Sequence, residues 1–124
     1  MERLTIEDLL LIAEVVLDVP GEQLARATRL DAAAAALAAA GRQRTLAQQT
    51  ATLCCRLVRD RPLPYGNKPV ALLAALELIS RNRATWIPSE VGAYELATTI
   101  ERVASGELSE AAFGAWVRRH VASR

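Results

Sequence analysis

Apolar side chains recur along this chain at helical spacing, in blocks separated by short turn-forming breaks. The first block follows Thr5, which with Asp8 resembles a capping box. Leu4 and Leu9 are placed to clasp across that cap, and Pro20-Gly21 stops the pattern, so a helix is expected over residues 6–18. A short helix over 22–28 follows, and Asp31 is expected to cap an alanine-rich helix over 32–40 that Gly41 ends. Thr45 caps the next helix, where Leu46, Thr50, Leu53 or Cys54, Leu57 and Val58 form one stripe that ends just before Arg61. Ser89 is expected to cap a helix reaching about Ser105 and closed by Gly106. Ser109 caps a last one, clasped by Leu108 and Phe113, with Trp116 packed in or beside the core.

One block differs from the rest. Between Lys68 and Arg81, Val70, Leu72, Leu73, Ala75, Leu76, Leu78 and Ile79 cover nearly every side, interrupted by Glu77, so this helix belongs in the interior. With no internal repeat, no hairpin-type strand pair and no low-complexity linker, the pattern predicts an all-α fold. It is a compact bundle of about six helices around the buried helix from about Lys68 to Arg81, in one domain over residues 1–124. Composition agrees: 52% of residues are apolar, mostly Ala and Leu, with only 4% aromatic, which favours helix over sheet.

Cysteine and histidine usage narrows the chemistry. Cys54 and Cys55 are adjacent inside a helical pattern and make no disulfide framework. His120 is the single histidine, so neither a metal site nor a metal cofactor is expected. No apolar run reaches the roughly 18 to 20 residues that cross a bilayer, and Met1-Glu2-Arg3-Leu4 does not begin a signal peptide. The expected location is the cytoplasm, without a membrane partner.

Charge is nearly balanced overall at +1, but unevenly placed. Arg56, Arg59, Arg61, Lys68, Arg81 and Arg83 face only Asp60 and Glu77 over residues 56–83, a local excess that suits a phosphate-containing or other anionic small molecule. For Arg81 and Arg83, at a helix C-terminus, compensation of the helix dipole is the simpler role. The excess is too small, and lacks the motif, for a nucleic-acid partner.

At the centre of that segment lies Arg61-Pro62-Leu63-Pro64-Tyr65-Gly66-Asn67-Lys68-Pro69. The prolines, Tyr65 and Gly66 stop one helix. Asn67 is expected to cap the next, and Pro69 suits its first turn. Gly66, Asn67 and Lys68 are then candidate anion-binding residues, because first-turn N–H groups, the positive end of the helix dipole and the Lys68 ammonium converge on them.

The order of elements, Leu4-Thr5-Ile6-Glu7-Asp8-Leu9-Leu10, the run from Asp31 to Leu37, the Gly66-Asn67-Lys68 loop before a buried helix, and Ala104-Ser105-Gly106-Glu107-Leu108 together resemble the Doc (death-on-curing) branch of the Fic family over nearly the whole chain. The family motif, His-x-Phe-x-Asp/Glu-Gly/Ala-Asn-Lys/Gly-Arg, aligns without a gap on residues 61–69. The resemblance implies a general base at Arg61, a magnesium-holding acid at Tyr65 and a phosphate-binding arginine at Pro69. An arginine cannot act as a base near neutral pH, a neutral phenol is a poor ligand for a hard cation, and proline has no donor fork. Leu63 in place of the family's phenylalanine is a tolerable hydrophobic exchange. Gly41-Arg42-Gln43-Arg44 is also too short for the flap that aligns a target peptide in such proteins.

The expected function is therefore a degenerate Fic/Doc-fold protein that has lost nucleotidyl or phosphoryl transfer. It would serve as a binding or regulatory module, toxin–antitoxin derived, with an antitoxin-like protein or a homodimer as partner. The alternative is an enzyme on a small-molecule or peptide substrate in a biosynthetic pathway, with Arg61, Tyr65, Asn67 and Lys68 lining the pocket.

Overall fold

A computed structural model of the chain describes residues 1–86 and 93–123. The elements are α1 (Ile6–Leu17), α2 (Gly21–Ala27), α3 (Leu30–Gly41), α4 (Leu46–Asp60), α5 (Asn67–Arg81), β1 (Ala84–Trp86), α6 (Ala93–Ala104), α7 (Glu110–His120) and β2 (Val121–Ser123). Among the described residues the protein is thus an all-α bundle of seven helices with one very short ribbon. The expected Ser89 cap lies outside the described residues.

Local chemistry explains most of the helix ends. Thr5 and Thr45 each form a full capping box, with Asp8 and Gln48 reaching back to the cap N–H groups, and the Ser109 hydroxyl accepts from the Ala112 N–H. Two N-caps differ from the sequence expectation, and Gly41, expected to end the alanine-rich helix, is its last residue, with Arg42 as the C-cap. α3 begins at Leu30, not after Asp31, and its cap residue Arg29 caps with no side chain. Arg29 is instead tied to the end of α4: its N–H donates to the Pro62 carbonyl at 2.8 Å, and its guanidinium donates to the carbonyls of Asp60 and Arg61. That anchoring starts the helix two residues earlier, leaving Asp31 in the first turn, where its charge still complements the dipole. The second difference, at Asn67, belongs to the candidate site.

The helix from Lys68 to Arg81 is buried along Val70, Ala71, Ala74, Ala75, Leu78 and Ile79, but it shares the centre with α4. α4 packs against α3, α5, α6 and α7, and every residue from Gln49 to Cys55 is buried. Two of these neighbours, α3 and α5, can sit close because the side chains they bury are small. Ala33, Ala36 and Ala40 of α3 and Ala71, Ala74 and Ala75 of α5 are all buried, and the Cys54 thiol donates to the Ala71 carbonyl at 3.5 Å. Buried polar groups on α4 are satisfied: Thr50 donates to the Leu46 carbonyl, Gln49 to that of Gln43, and Thr52 to Glu110 of α7 at 3.0 Å.

The ribbon has no sequence signal. β1 and β2 pair antiparallel with Ala84 opposite Ser123 and Trp86 opposite Val121, at three residues each too short for an alternating pattern and too far apart in sequence for a hairpin. Trp116 of α7 completes the junction: its ring lies 6.0 Å from Trp86, 6.1 Å from Phe113 and 4.5 Å from His120.

At the far end of α5, Arg81 is held by Asp8 through two hydrogen bonds of 2.8 and 3.0 Å and by Glu77 at 2.9 Å. Asp8 therefore serves α1 as a cap and α5 as an anchor. Its hydrogen bonds to Arg81, then those to Thr5, hold its carboxyl down at about 2. A depressed carboxyl pKa contributes stability that is fully present above its unfolded value near 3.8 and is lost as pH falls through about 2. Asp8→Asn is expected to cost about 1–2 kcal/mol at neutral pH, because solvent screens a partly exposed pair. Urea titrations at pH 7 and near pH 2 should show the gap between variant and wild type closing at the lower pH.

Candidate functional site

The Arg61–Pro69 loop runs from the C-terminus of α4 to the N-terminus of α5 and is closed at both ends by specific geometry. Arg61 is the C-cap of α4 in the left-handed region at φ 48°, a conformation stabilised here by the Arg29 guanidinium on its carbonyl. Pro62 and Leu63 are buried beneath the loop, while Pro64 and Tyr65 stand outside it. Gly66 then turns the chain at φ 74° into α5.

Asn67 does not cap α5. Gly66 occupies the cap position with no side-chain cap, and Asn67 is the first helical residue. Its carboxamide turns back across the loop, accepting from the Leu63 N–H at 3.0 Å and donating to the Leu63 carbonyl at 3.1 Å. This paired clip satisfies an otherwise part-buried backbone unit and uses the amide group for structure. The first-turn N–H groups of Asn67 and Lys68 are left without an intrahelical acceptor, Pro69 brings none, and Val70 already donates to the Gly66 carbonyl at 3.1 Å. Two backbone donors, not three, thus face outward at the positive end of the helix.

Gly66 is required by packing as well as by its dihedral. A β-carbon there would lie 2.2 Å from Cδ2 of Leu17, at the end of α1, so the loop is seated directly on the first helix.

The loop encloses an open pocket of about 460 Å³ lined by Val58, Arg61, Leu63, Pro64, Tyr65, Gly66, Asn67, Lys68 and Pro69. All six residues singled out from the sequence, Arg61, Tyr65, Pro69, Gly66, Asn67 and Lys68, therefore meet at one place. Tyr65 is 54% exposed, with its phenol at the mouth rather than in a buried ligand set. Lys68 is shared: its Nζ lies 3.1 Å from Oε2 of Glu101 on α6, in an exposed pair. The pocket thus offers two backbone N–H groups, the Arg61 guanidinium and a half-neutralised ammonium, and among the described residues that line it there is no carboxylate and no histidine. Such a set can hold an anion by hydrogen bonding and charge. It holds neither the histidine nor the carboxylate that most often takes a proton from a substrate hydroxyl.

The two thiols are not candidates for chemistry. Burial raises the Cys54 pKa far above the ordinary range, with neighbouring Cys55 adding to it, and burial lifts Cys55 to about 11.

A larger groove of about 660 Å³ lies between α4 and α7, lined by Gln43, Thr45, Ala47, Gln48, Ala51, Thr52, Glu110, Ala111, Gly114, Ala115 and Arg118. Sequence reading passes over it because its floor is built from alanines that read as ordinary helix. Gly114, set within the pattern of α7 between Ala111 and Ala115, is the one local signal of a close approach there.

No family model matches the chain, and no curated protein matches it. The resemblance to the Doc branch rests on the residues and the order of elements described above.

Two outcomes follow from this geometry. Gly66→Ala is expected to lose about 2–4 kcal/mol, combining a positive φ with a clash against Leu17, whereas Gly106→Ala, at φ 82° with open space around it, should lose only about 1 kcal/mol; urea unfolding of the two variants checks this. Both cysteines should resist alkylation at pH 8 in the native protein, where a thiol near 11 is roughly a thousandth ionised, and should react together once denaturant unfolds it.

Proposed function

We propose that this chain is a Fic-fold protein of the Doc type whose motif loop has shed transfer chemistry and now works as a binding module for a phosphate-bearing or similar anionic ligand. The observation that carries the reading is the state of the loop. A helix N-terminus with two unpartnered amides opens onto a preformed pocket, while the positions where a transferase of that type needs a base, a metal-holding acid and a phosphate arginine are Arg61, Tyr65 and Pro69. The small-molecule enzyme reading would use Arg61, Tyr65, Asn67 and Lys68 together. It is less well supported, because the Asn67 carboxamide is committed to Leu63 and the Lys68 ammonium to Glu101. A toxin-derived module would recognise a protein partner through another face, and the anion would tune that recognition.

Thermal denaturation with ATP, GTP and inorganic pyrophosphate tests the reading. Stabilisation by at least one of them is expected, reduced in Lys68→Ala and strengthened in Glu101→Gln. That second variant frees the ammonium and should tighten binding roughly two- to fivefold, the range expected for an exposed ion pair. If none of the three compounds shifts the melting temperature of wild type or Glu101→Gln, the anion site is refuted. The restored loop Arg61→His, Tyr65→Asp, Pro69→Arg is expected to remain without robust transfer, since Gly41–Arg44 is too short for a target-aligning flap. ATP-dependent labelling of a protein by that variant would contradict the reading.

A further inference from the structure

The groove between α4 and α7 shares no lining residue with the loop pocket. Three of its residues have an informative spacing. Glu110, Gly114 and Arg118 fall at i, i+4 and i+8, on one face of α7, with an acid near the helix start, a base near its end and glycine midway. At 1.5 Å per residue the two charges are about 12 Å apart along the helix. Ala111 and Ala115 beside Gly114 are both exposed, so the middle of this face presents little more than backbone.

Gly114 is not demanded by the packing of its own chain. A β-carbon there would meet only the Ala51 β-carbon at 3.6 Å, an ordinary contact, and its backbone lies outside the positive-φ region. Glycine within a helix nevertheless costs about 0.5–1 kcal/mol relative to alanine. A close approach from outside the chain would give the missing side chain a purpose.

The face is also complementary to itself. Two copies of α7 laid antiparallel about a two-fold axis through Gly114 bring Glu110 of each opposite Arg118 of the other, and align each helix's positive end with its neighbour's negative end. We infer that α7 and the groove beside it form an isologous interface with a second copy of this chain, crossing at Gly114 and held by two reciprocal Glu110–Arg118 pairs. Each α7 then lies along the groove of the other copy, against exposed Ala111 and Ala115 and half-buried Ala47. A parallel arrangement would set like charges against each other, so the charges select the antiparallel one.

Sedimentation velocity over a range up to roughly 0.5 mM, where even a weak dimer is populated, is the experiment. Wild type is expected to dimerise. Glu110→Arg places only bases in the two contacts and Arg118→Glu only acids, so each alone should weaken association at least tenfold, whereas an equimolar mixture of the two should associate again as a heterodimer. Circular dichroism confirms that each variant is folded. Gly114→Ala, which its own chain accommodates, should melt at or above the wild-type temperature yet associate about tenfold more weakly. Lys68→Ala should dimerise as wild type does, separating this interface from the anion site. A wild-type chain that stays monomeric throughout, a dimer indifferent to both charge variants, a mixture that does not re-associate, or a Gly114→Ala dimer as tight as wild type would each overturn the inference.

Discussion

The structure depends on how closely helices can approach α4. A helix with four helical neighbours must meet most of them at short range, and bulky side chains on every facing surface would hold them apart. Here α3 and α5 contribute alanines, while α6 and α7 contribute larger side chains such as Ile100 and Phe113, and at Cys54 and Ala71 side chain touches backbone. The many alanines, which in isolation look like unspecific helix formers, thus let α3 and α5 approach the central helix closely. Their interior is correspondingly intolerant of growth, since close-packed small residues leave no slack for an added methylene.

That packing also sets the loop. α4 delivers the chain to Arg61 at a fixed place, Arg29 holds the last carbonyls of the helix, and Leu17 of α1 closes against Gly66. Three elements from different parts of the sequence therefore pin the loop before any ligand arrives. A preformed donor pair at a helix start needs little reorganisation to hold an anion, which lowers the cost of binding. The same rigidity ties the amide of Asn67 to Leu63, so the residue most suggestive of ligand contact is instead part of the frame.

Much of this was legible in the sequence, and the gaps have physical causes. Helix blocks, the capping box at Thr5 and the cap at Thr45 could be read because caps and periodicity are local properties. The residues of the candidate site could be listed because they are contiguous. What could not be read were events decided by tertiary partners: Asn67 turning back to Leu63, Arg29 starting α3 early, and Lys68 meeting Glu101 across thirty-three residues. The β1–β2 ribbon escaped for a different reason, since three residues carry no period. The groove beside Gly114 was hidden because alanine reads the same whether it lines a surface or fills a core.

The ribbon has a further consequence, for the order in which the chain assembles. By joining Ala84 to Ser123 it closes a loop of nearly forty residues around α6 and α7, an entropic cost on the order of 3 kcal/mol that must be met before the pairing and the Trp86–Trp116 contact return anything. The contacts of α3 with α4 and of α4 with α5 are nearer in sequence and can form first. α6 and α7 would then each dock onto α4 later, with the ribbon as a latch at the end of α7. The ribbon thus ties the end of α5 to the end of α7, so six residues decide how the last helix is held at its C-terminus.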